Sequence, residues 1–362
     1  MSLKTSSPQL RRELGVLGAT VMGLGSIVGT GVFVSIGIAA GIAGNAVIFA
    51  VIIGALVATC NGLNSAQLAA NHPVSGGSYE YGYKYLNSWF GFTAGWMFLL
   101  AKSASAATAA LGFAGYFLNA TGLSDQGLLI PLALAAVFVI TAVVLNGIRR
   151  SNRVNIVIVS VSIFSLVFFI LGGIPTAITV GKENLTSLFN GSPTNLLQAS
   201  ALMFVAYTGY GRIATLGEEA KEPRKTIPKA IIVTMIVTML IYVGVATIAV
   251  AGIGAENLGL EALSGQAPLE VAVRSFGIPG AAQILAVGAI FAMLGVLLNL
   301  ILGLSRILLA MGRRRDMPSI FARLNNSGTT PTPAVIAVSA IISVLVLIGN
   351  VKTTWSFSAF TV

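Results

Sequence analysis

Charge is what this chain has least of. Among 362 residues only 9% are charged, 21 Lys or Arg and 11 Asp or Glu, where a soluble domain carries about 25%. So few charges cannot cover a water-facing surface, and a hydrophobic content of 56% calls for a cover of lipid instead. The lone cysteine, Cys60, excludes an intrachain disulfide and leaves the redox compartment unread. The lone histidine, His72, sits in the turn-rich stretch 71–79, and no metal-ligand spacing surrounds it, so no metal or other cofactor is expected. Nucleotide motifs are missing too. Gly25-Ser-Ile-Val-Gly29 lacks the P-loop lysine, and the G-x-G-x-x-G spacing fails at Val28.

What is there is apolar and periodic along the whole chain, with no soluble domain. Spans read near 15–42, 45–70, 89–118, 128–147, 153–173, 196–211, 229–252, 279–310 and 333–350, with a tenth starting near 353. A core of roughly 30 Å needs about 20 helical residues, which each complete span supplies except the short sixth. The expectation is an all-α integral membrane protein forming one transmembrane domain over residues 1–362. Its tenth helix stops at Val362 after about ten residues and reads as truncated, as in a fragment. Met1–Glu13 is polar and no small-residue cleavage pattern follows, so the first helix reads as retained.

The net charge of +10 could suggest nucleic acid, but its distribution argues otherwise. With the N-terminus inside, 16 basic residues fall on cytoplasmic segments, including Arg149, Arg150 and Arg153, Lys221 to Lys229, and Arg306 to Arg323. Lys182, Arg274 and Lys352 fall outside, and Lys102 and Arg212 lie at membrane depth. The positive-inside rule then places the chain in the cytoplasmic membrane with its N-terminus in the cytoplasm. Nucleic acid is not an expected partner; the lipid bilayer is.

Spans 1–5 (about 15–173) and 6–10 (about 196–362) make two units with an odd number of crossings, so the second must be inverted relative to the first. Each opens on a glycine-broken helix: Gly25-Ser-Ile-Val-Gly-Thr-Gly31 in span 1 and Ala206-Tyr-Thr-Gly-Tyr-Gly211 in span 6. In lipid, backbone groups freed from the helix ladder are tolerated only where they face protein, water or a ligand. A matched pair of interrupted helices points to a transporter's midplane site. Close packing also accounts for Gly25-xxx-Gly29, but Gly29 and Gly31 point to different faces. The N–H groups at the start of a half-helix attract an anion, and the carbonyls ending the preceding one attract an ammonium. Two adjacent breaks therefore suit a zwitterion, and an α-amino acid is the natural substrate.

Four segments carry a family likeness in the same order along the chain. They are Gly25-Ser-Ile-Val-Gly-Thr-Gly-Val-Phe33, Pro73-Val-Ser-Gly-Gly-Ser-Tyr79, the stretch from Phe204 to Pro228 containing Leu216-Gly-Glu-Glu-Ala220, and Arg306-Ile-Leu-Leu-Ala-Met-Gly-Arg-Arg-Arg-Asp-Met-Pro318. Together they resemble the amino acid–polyamine–organocation permeases. The resemblance implies a leucine-transporter-like fold with an inverted five-plus-five repeat and discontinuous helices 1 and 6. It also implies secondary transport of amino acids by alternating access. By position, Thr30 and Gly31, with Gly29 nearby, would bind the α-carboxylate. Carbonyls of Ile27 and Thr208 would take the α-amino group, and Ala206, Tyr207, Gly209 and Tyr210 would line the side-chain pocket.

Three departures bear on selectivity and coupling. Gly211 stands where cationic amino acid carriers of the family have an acid, which argues against a strongly cationic substrate and for a neutral or small one. Arg212 stands where the family usually has a small residue; it faces either a cytoplasmic vestibule beside Glu218 and Glu219 or an anionic substrate group. Ser162 occupies the place of the span 5 lysine of proton-coupled relatives. Lys102, among small and apolar neighbours, is either the substitute proton-coupling or anion-sensing group, or a lysine that snorkels to the interface. Coupling to H+ or Na+, exchange, and the oligomeric state stay open. Glu218 and Glu219 read as a solvated cytoplasmic face. A membrane enzyme would need clustered catalytic groups and a channel a charged ring or filter repeat; neither pattern occurs.

Overall fold

The computed structural model describes residues 10–122, 126–185, 192–263, 267–348, 354, 357 and 358, and in them the apolar runs fold as helices. Helix α1 (Val16–Ile27) is followed by a π turn (Gly31–Ser35), α2 (Ile36–Ala43), a 3-10 turn (Gly44–Ala46) and α3 (Val47–Asn71). Then come α4 (Ser78–Tyr85), α5 (Ser88–Thr121), α6 (Leu129–Leu145), α7 (Ile148–Thr179) and α8 (Gly181–Leu185). The second half holds α9 (Pro193–Tyr207), a 3-10 turn (Thr208–Tyr210), α10 (Gly211–Ala214), α11 (Pro223–Ile253), α12 (Ala255–Leu263), α13 (Pro268–Arg274), α14 (Ala281–Arg314) and α15 (Thr332–Ile348). No strand occurs among the described residues beyond a single bridge between Leu14 and Ala220.

Five helical stretches of the described residues are long and apolar enough to cross a membrane: Val16–Asn71, Ser88–Thr121, Ile148–Thr179, Pro223–Ile253 and Ala281–Arg314. The first contains both expected spans 1 and 2. Expected spans 4 and 9 correspond to the shorter α6 and α15, and span 6 to α9 and α10. The truncated tenth span lies outside the described residues apart from Thr354, Phe357 and Ser358. Helices α5 and α14 are the most enclosed of the long helices, whereas α7 turns most of its apolar surface outward. That outward surface, with Phe164, Leu171 and Ile178 exposed, fits contact with lipid tails better than contact with water.

Glycine lets several helices approach at backbone distance. A Cβ on Gly41 of α2 would stand 3.2 Å from Cα of Gly259 on α12, and one on Gly54 of α3 would stand 2.9 Å from the Phe204 nitrogen of α9. Small-residue contacts of this kind are how helices pack where lipid removes the hydrophobic drive.

One end of the bundle is tied by a polar knot. Tyr79 and Tyr83 of α4 both donate to Asp316 Oδ2 at 2.6 Å, and Arg314 makes a two-bond contact with Glu80 at 3.0 and 2.6 Å while stacking over the Tyr83 ring. Beside it Arg313 grips Glu218 at 2.6 and 3.2 Å, and the amides of Glu13 and Leu14 donate to the carbonyl of Glu219. Burial, then the hydrogen bond to the Asp316 carboxylate, pushes the Tyr79 and Tyr83 phenols above their ordinary range.

The expected solvated face at Glu218 and Glu219 is not found. Glu218 is mostly covered by its pairing with Arg313, and Glu219 is 0% exposed, held by Arg306 Nε at 3.1 Å and Nη2 at 2.5 Å. Arg306, expected on a cytoplasmic segment, is 0% exposed inside α14. The cause is the backbone: Lys221 N–H bonds Leu14 O at 2.7 Å, so the segment after α10 folds inward and aims its acids at α14.

Two outcomes follow from these contacts. Gly259→Val forces α2 from α12, and overpacking of this kind costs about 1–3 kcal/mol, read as a lower apparent melting temperature of the purified protein. Because the phenols ionise above their usual range, the stabilisation they give is complete below about pH 10 and is lost as pH rises beyond it. The melting difference between the wild type and Tyr79→Phe/Tyr83→Phe is therefore expected to stay constant from pH 7 to about 10 and shrink above. A difference that vanishes already at pH 8 would contradict the arrangement.

Candidate functional site

Four glycines within nine positions, Gly23 and Gly25 near the end of α1 and Gly29 and Gly31 beyond it, disfavour a continuous helix here, since glycine costs about 1 kcal/mol relative to alanine in a helix. The α-helix ends at Ile27, Val28 turns extended (ψ 103°), and the chain resumes in the π turn, where the N–H groups of Val32 and Phe33 share the Gly29 carbonyl at 3.1 Å. In the second half, α9 ends at Tyr207 and Thr208–Tyr210 pass through a 3-10 turn before the four-residue α10. The two irregular segments touch. A Cβ on Gly209 would fall against the Ser26 carbonyl, and one on Gly31 would lie 2.8 Å from the Ala206 Cβ.

A small cavity lies between these segments and is walled by α5 and α14. Of the expected site residues, Ile27, Thr30, Gly31, Ala206, Thr208 and Gly209 line it, together with Lys102 and Arg212. Gly29 is not among the lining residues; a Cβ there would fall against Val296 of α14. Tyr207 is fully buried behind the wall, its ring 4.9 Å from that of Tyr242, and Tyr210 packs toward Gly62 of α3. Gly211 faces the Phe98 ring. Ser162 is buried in α7 with its hydroxyl on the Ile158 carbonyl, away from the cavity lining.

Several freed backbone groups already have partners. Tyr242 donates its hydroxyl to the Ile27 carbonyl at 2.7 Å, and the Gly211 N–H donates to the carbonyls of Gly209 and Thr208. A carbonyl has two lone pairs, so each can accept once more. Ser26 Oγ, Asn299 Oδ1 and Arg212 Nε are buried with no hydrogen-bond partner, and all three residues line the cavity. The Asn299 amide is fixed in orientation. Asn155 Nδ2 donates to Val21 O, so Asn155 Oδ1 must accept from Asn299 Nδ2 at 2.6 Å, which also donates to Gly295 O. Its Oδ1 is left as an acceptor that lacks a donor.

Neither cation has snorkelled out. Lys102 is 7% exposed and its Nζ donates to Thr208 Oγ1 at 2.7 Å, while that hydroxyl donates to the Val205 carbonyl. Arg212 is 2% exposed, with its aliphatic stem against Gly303 of α14. Its Nη1 donates to Thr215 Oγ1 at 2.6 Å, and Nη2 stands 4.0 Å from Glu219 Oε2.

Sequence reasoning missed the α5 and α14 walls: Phe98, Ser105, Val296, Asn299, Leu300, Gly303 and Leu304. Asn299 alone carried a signal, as the one amide within the apolar run from Ile284 to Leu304.

Comparison with known proteins places the chain. It is 36% identical over 358 residues to an uncharacterized transporter of Mycobacterium tuberculosis, an alignment covering 97% of this chain and 77% of that one. It is 30% identical over 342 residues to the branched-chain amino acid permease BcaP of Bacillus subtilis, covering 89% and 71%. With a cationic amino acid transporter of Arabidopsis thaliana, named as mitochondrial, identity is 27% over 362 residues, covering 95% of this chain and 59% of the other. The profile of the family described as Amino acid permease matches residues 18–362. This chain belongs to the amino acid permease family.

Proposed function

We propose that this protein is a secondary active transporter that moves an amino acid across the cytoplasmic membrane by alternating access, with its N-terminus in the cytoplasm. The observation that carries the reading is the cavity bounded by the Ser26–Gly31 and Ala206–Gly209 segments. Within a family of permeases, that is where an interrupted helix pair would hold a zwitterion at the middle of an inverted five-plus-five repeat. The α-carboxylate lies at Thr30 and Gly31, where the π turn opens with its N–H groups forward. The ammonium lies at the spare lone pairs of the Ile27 and Thr208 carbonyls and at Asn299 Oδ1, the acceptor without a donor. Ala206 and Gly209 leave room beside them, and Tyr207 and Tyr210 act from behind the wall by holding the second segment in place.

Coupling is assigned to Lys102. Its hydrogen bond to Thr208 joins an ionisable amine on α5 to the irregular segment of the second half. Loss or gain of a proton there changes how firmly that segment is held, which is the link between an ion gradient and a conformational change. Gly211 presents no acid to the cavity, so a cationic side chain finds no counter-charge; a neutral or small one is not opposed on that account.

Purified protein in liposomes, given labelled amino acids under imposed pH and Na+ gradients, is expected to accumulate substrate under an inward proton gradient. Lys102→Met should abolish the pH dependence; uptake with unchanged affinity and pH dependence would remove Lys102 from the mechanism. Uptake that needs amino acid inside and no gradient would make the protein an exchanger. Thr208→Val strips the amine of its partner and exposes a buried polar group to a cost of about 1–3 kcal/mol. It should therefore lower both melting temperature and substrate affinity, whereas a merely space-filling threonine would lower neither.

A further inference from the structure

Among the described residues the cavity wall carries two basic side chains, Lys102 and Arg212, and no acidic one. We propose that these two form an anion-binding subsite and that the substrate is an amino acid whose side chain ends in a carboxylate. The proposal rests on the transport reading above and narrows it.

The charge balance around Arg212 is incomplete. Its nearest carboxylate, Glu219, gives Oε1 to two bonds from Arg306, at 3.1 and 2.5 Å. The other oxygen, Oε2, stands 4.0 Å from Arg212 and makes no hydrogen bond. One glutamate thus serves two buried arginines, and a full positive charge is left over. The other contacts of Arg212 are neutral, Thr215 Oγ1 and Met22 Sδ, and its Nε has no partner. The second cation, Lys102, has a hydroxyl for its partner and no ion pair among the described residues. Charges at membrane depth are costly unless paired, and those retained there mark substrate or ion pathways.

Charge counting then specifies the ligand. Thr30 and Gly31 supply one place for a carboxylate, and Asn299 Oδ1 with the spare lone pairs of Ile27 and Thr208 supplies one place for an ammonium. Lys102 and Arg212 supply a second place for an anion, beside Thr208 and Gly209, where a side chain would extend. Two negative groups and one positive group describe an acidic amino acid. A free anion such as chloride beside a neutral amino acid has the same chemistry at the subsite, and the experiment separates the two sources.

Glutamate, aspartate, glutamine, leucine and lysine are offered to the detergent-purified protein in a binding assay and to proteoliposomes in an uptake assay, with chloride or with gluconate as the salt anion. Glutamate or aspartate is expected to bind and enter at least tenfold better than glutamine or lysine, in either salt. Arg212→Gln and Lys102→Gln should each cut the glutamate-to-glutamine ratio tenfold or more. Arg212→Lys, which keeps the charge, should restore much of it; equal loss in Arg212→Gln and Arg212→Lys would mark a folding defect and count against a charge role. Leucine or glutamine binding that requires chloride would overturn the acidic substrate and assign the subsite to a free anion. Binding of neutral amino acids that neither glutamate nor chloride affects would overturn the subsite and leave the transport reading standing. Absence of binding and uptake for every amino acid would overturn both.

Discussion

The interior depends on one backbone contact, that of Gly209 with Ser26 and Ile27. No side chain fits there, so the irregular segment of the second half lies directly on that of the first. Neither segment could exist alone in an apolar setting, because each frees polar groups that the helix ladder no longer satisfies. The partners come from elsewhere: Tyr242 of α11 caps Ile27, Gly211 caps Thr208 within its own segment, and polar groups of Ser26, Asn299 and Arg212 stay unsatisfied at the cavity. The cavity lies where the two segments meet, and its polar lining is what these partners leave over.

A second dependence runs from the cavity to the polar end of the bundle. Glu219 bonds Arg306 and approaches Arg212 through its side chain, while its backbone carbonyl accepts from Glu13 and Leu14. Its neighbour Glu218 is gripped by Arg313, three residues before Asp316, on which Tyr79 and Tyr83 converge. Any rearrangement that draws Arg212 toward a ligand changes the charge balance at Glu219, and Glu219 is sewn to the segment ahead of α1. On the proposed reading, ligand charge at the centre would act on the carboxylate of the residue whose backbone carbonyl ties down the segment ahead of α1. This is a contiguous chain of packed polar contacts; a two-state element that both ends bias is what would make it a coupling path.

The fold was legible because hydropathy in lipid is a strong signal: length and apolarity mark Ser88–Thr121 or Ala281–Arg314 without reference to anything else. The irregular turns after Ile27 fall where glycine clusters, at Gly25, Gly29 and Gly31, because glycine weakens a helix wherever it occurs. Tyr207 and Tyr210 were read as pocket residues because they sit in such a segment, but a residue of a 3-10 or α-helical turn faces one direction only, and theirs is away from the cavity. The charged pairs were the least legible. Glu218 and Glu219 lie in a basic stretch and read as a wet surface. What buries them is a bond between Leu14 and Lys221, more than 200 residues apart, and no local pattern encodes it. The α14 wall failed for a related reason, since Val296, Leu300 and Leu304 look like any apolar helix until the neighbour is known.

Family membership leaves the side-chain end of the substrate undetermined. Relatives that match this chain over most of its length are named for branched-chain and for cationic amino acids, so one architecture accommodates different side chains. The proposed site would explain how that is so: a zwitterion held by main-chain groups would be recognised whatever it carries at the α-carbon. Selectivity would then reside in the side chains of the remaining walls, on α5, α10 and α14. In this chain those walls offer Phe98 and Lys102, Arg212, and Asn299 with its apolar neighbours. Gly211 and Arg212 are best read together. The first withholds the negative charge a cationic side chain would need, and the second, with Lys102, adds positive charge that Glu219, shared with Arg306, balances only in part among the described residues. On the proposed reading, a site that lacked the acid alone would be permissive, whereas one that also carries two bases with a single shared carboxylate would discriminate by sign.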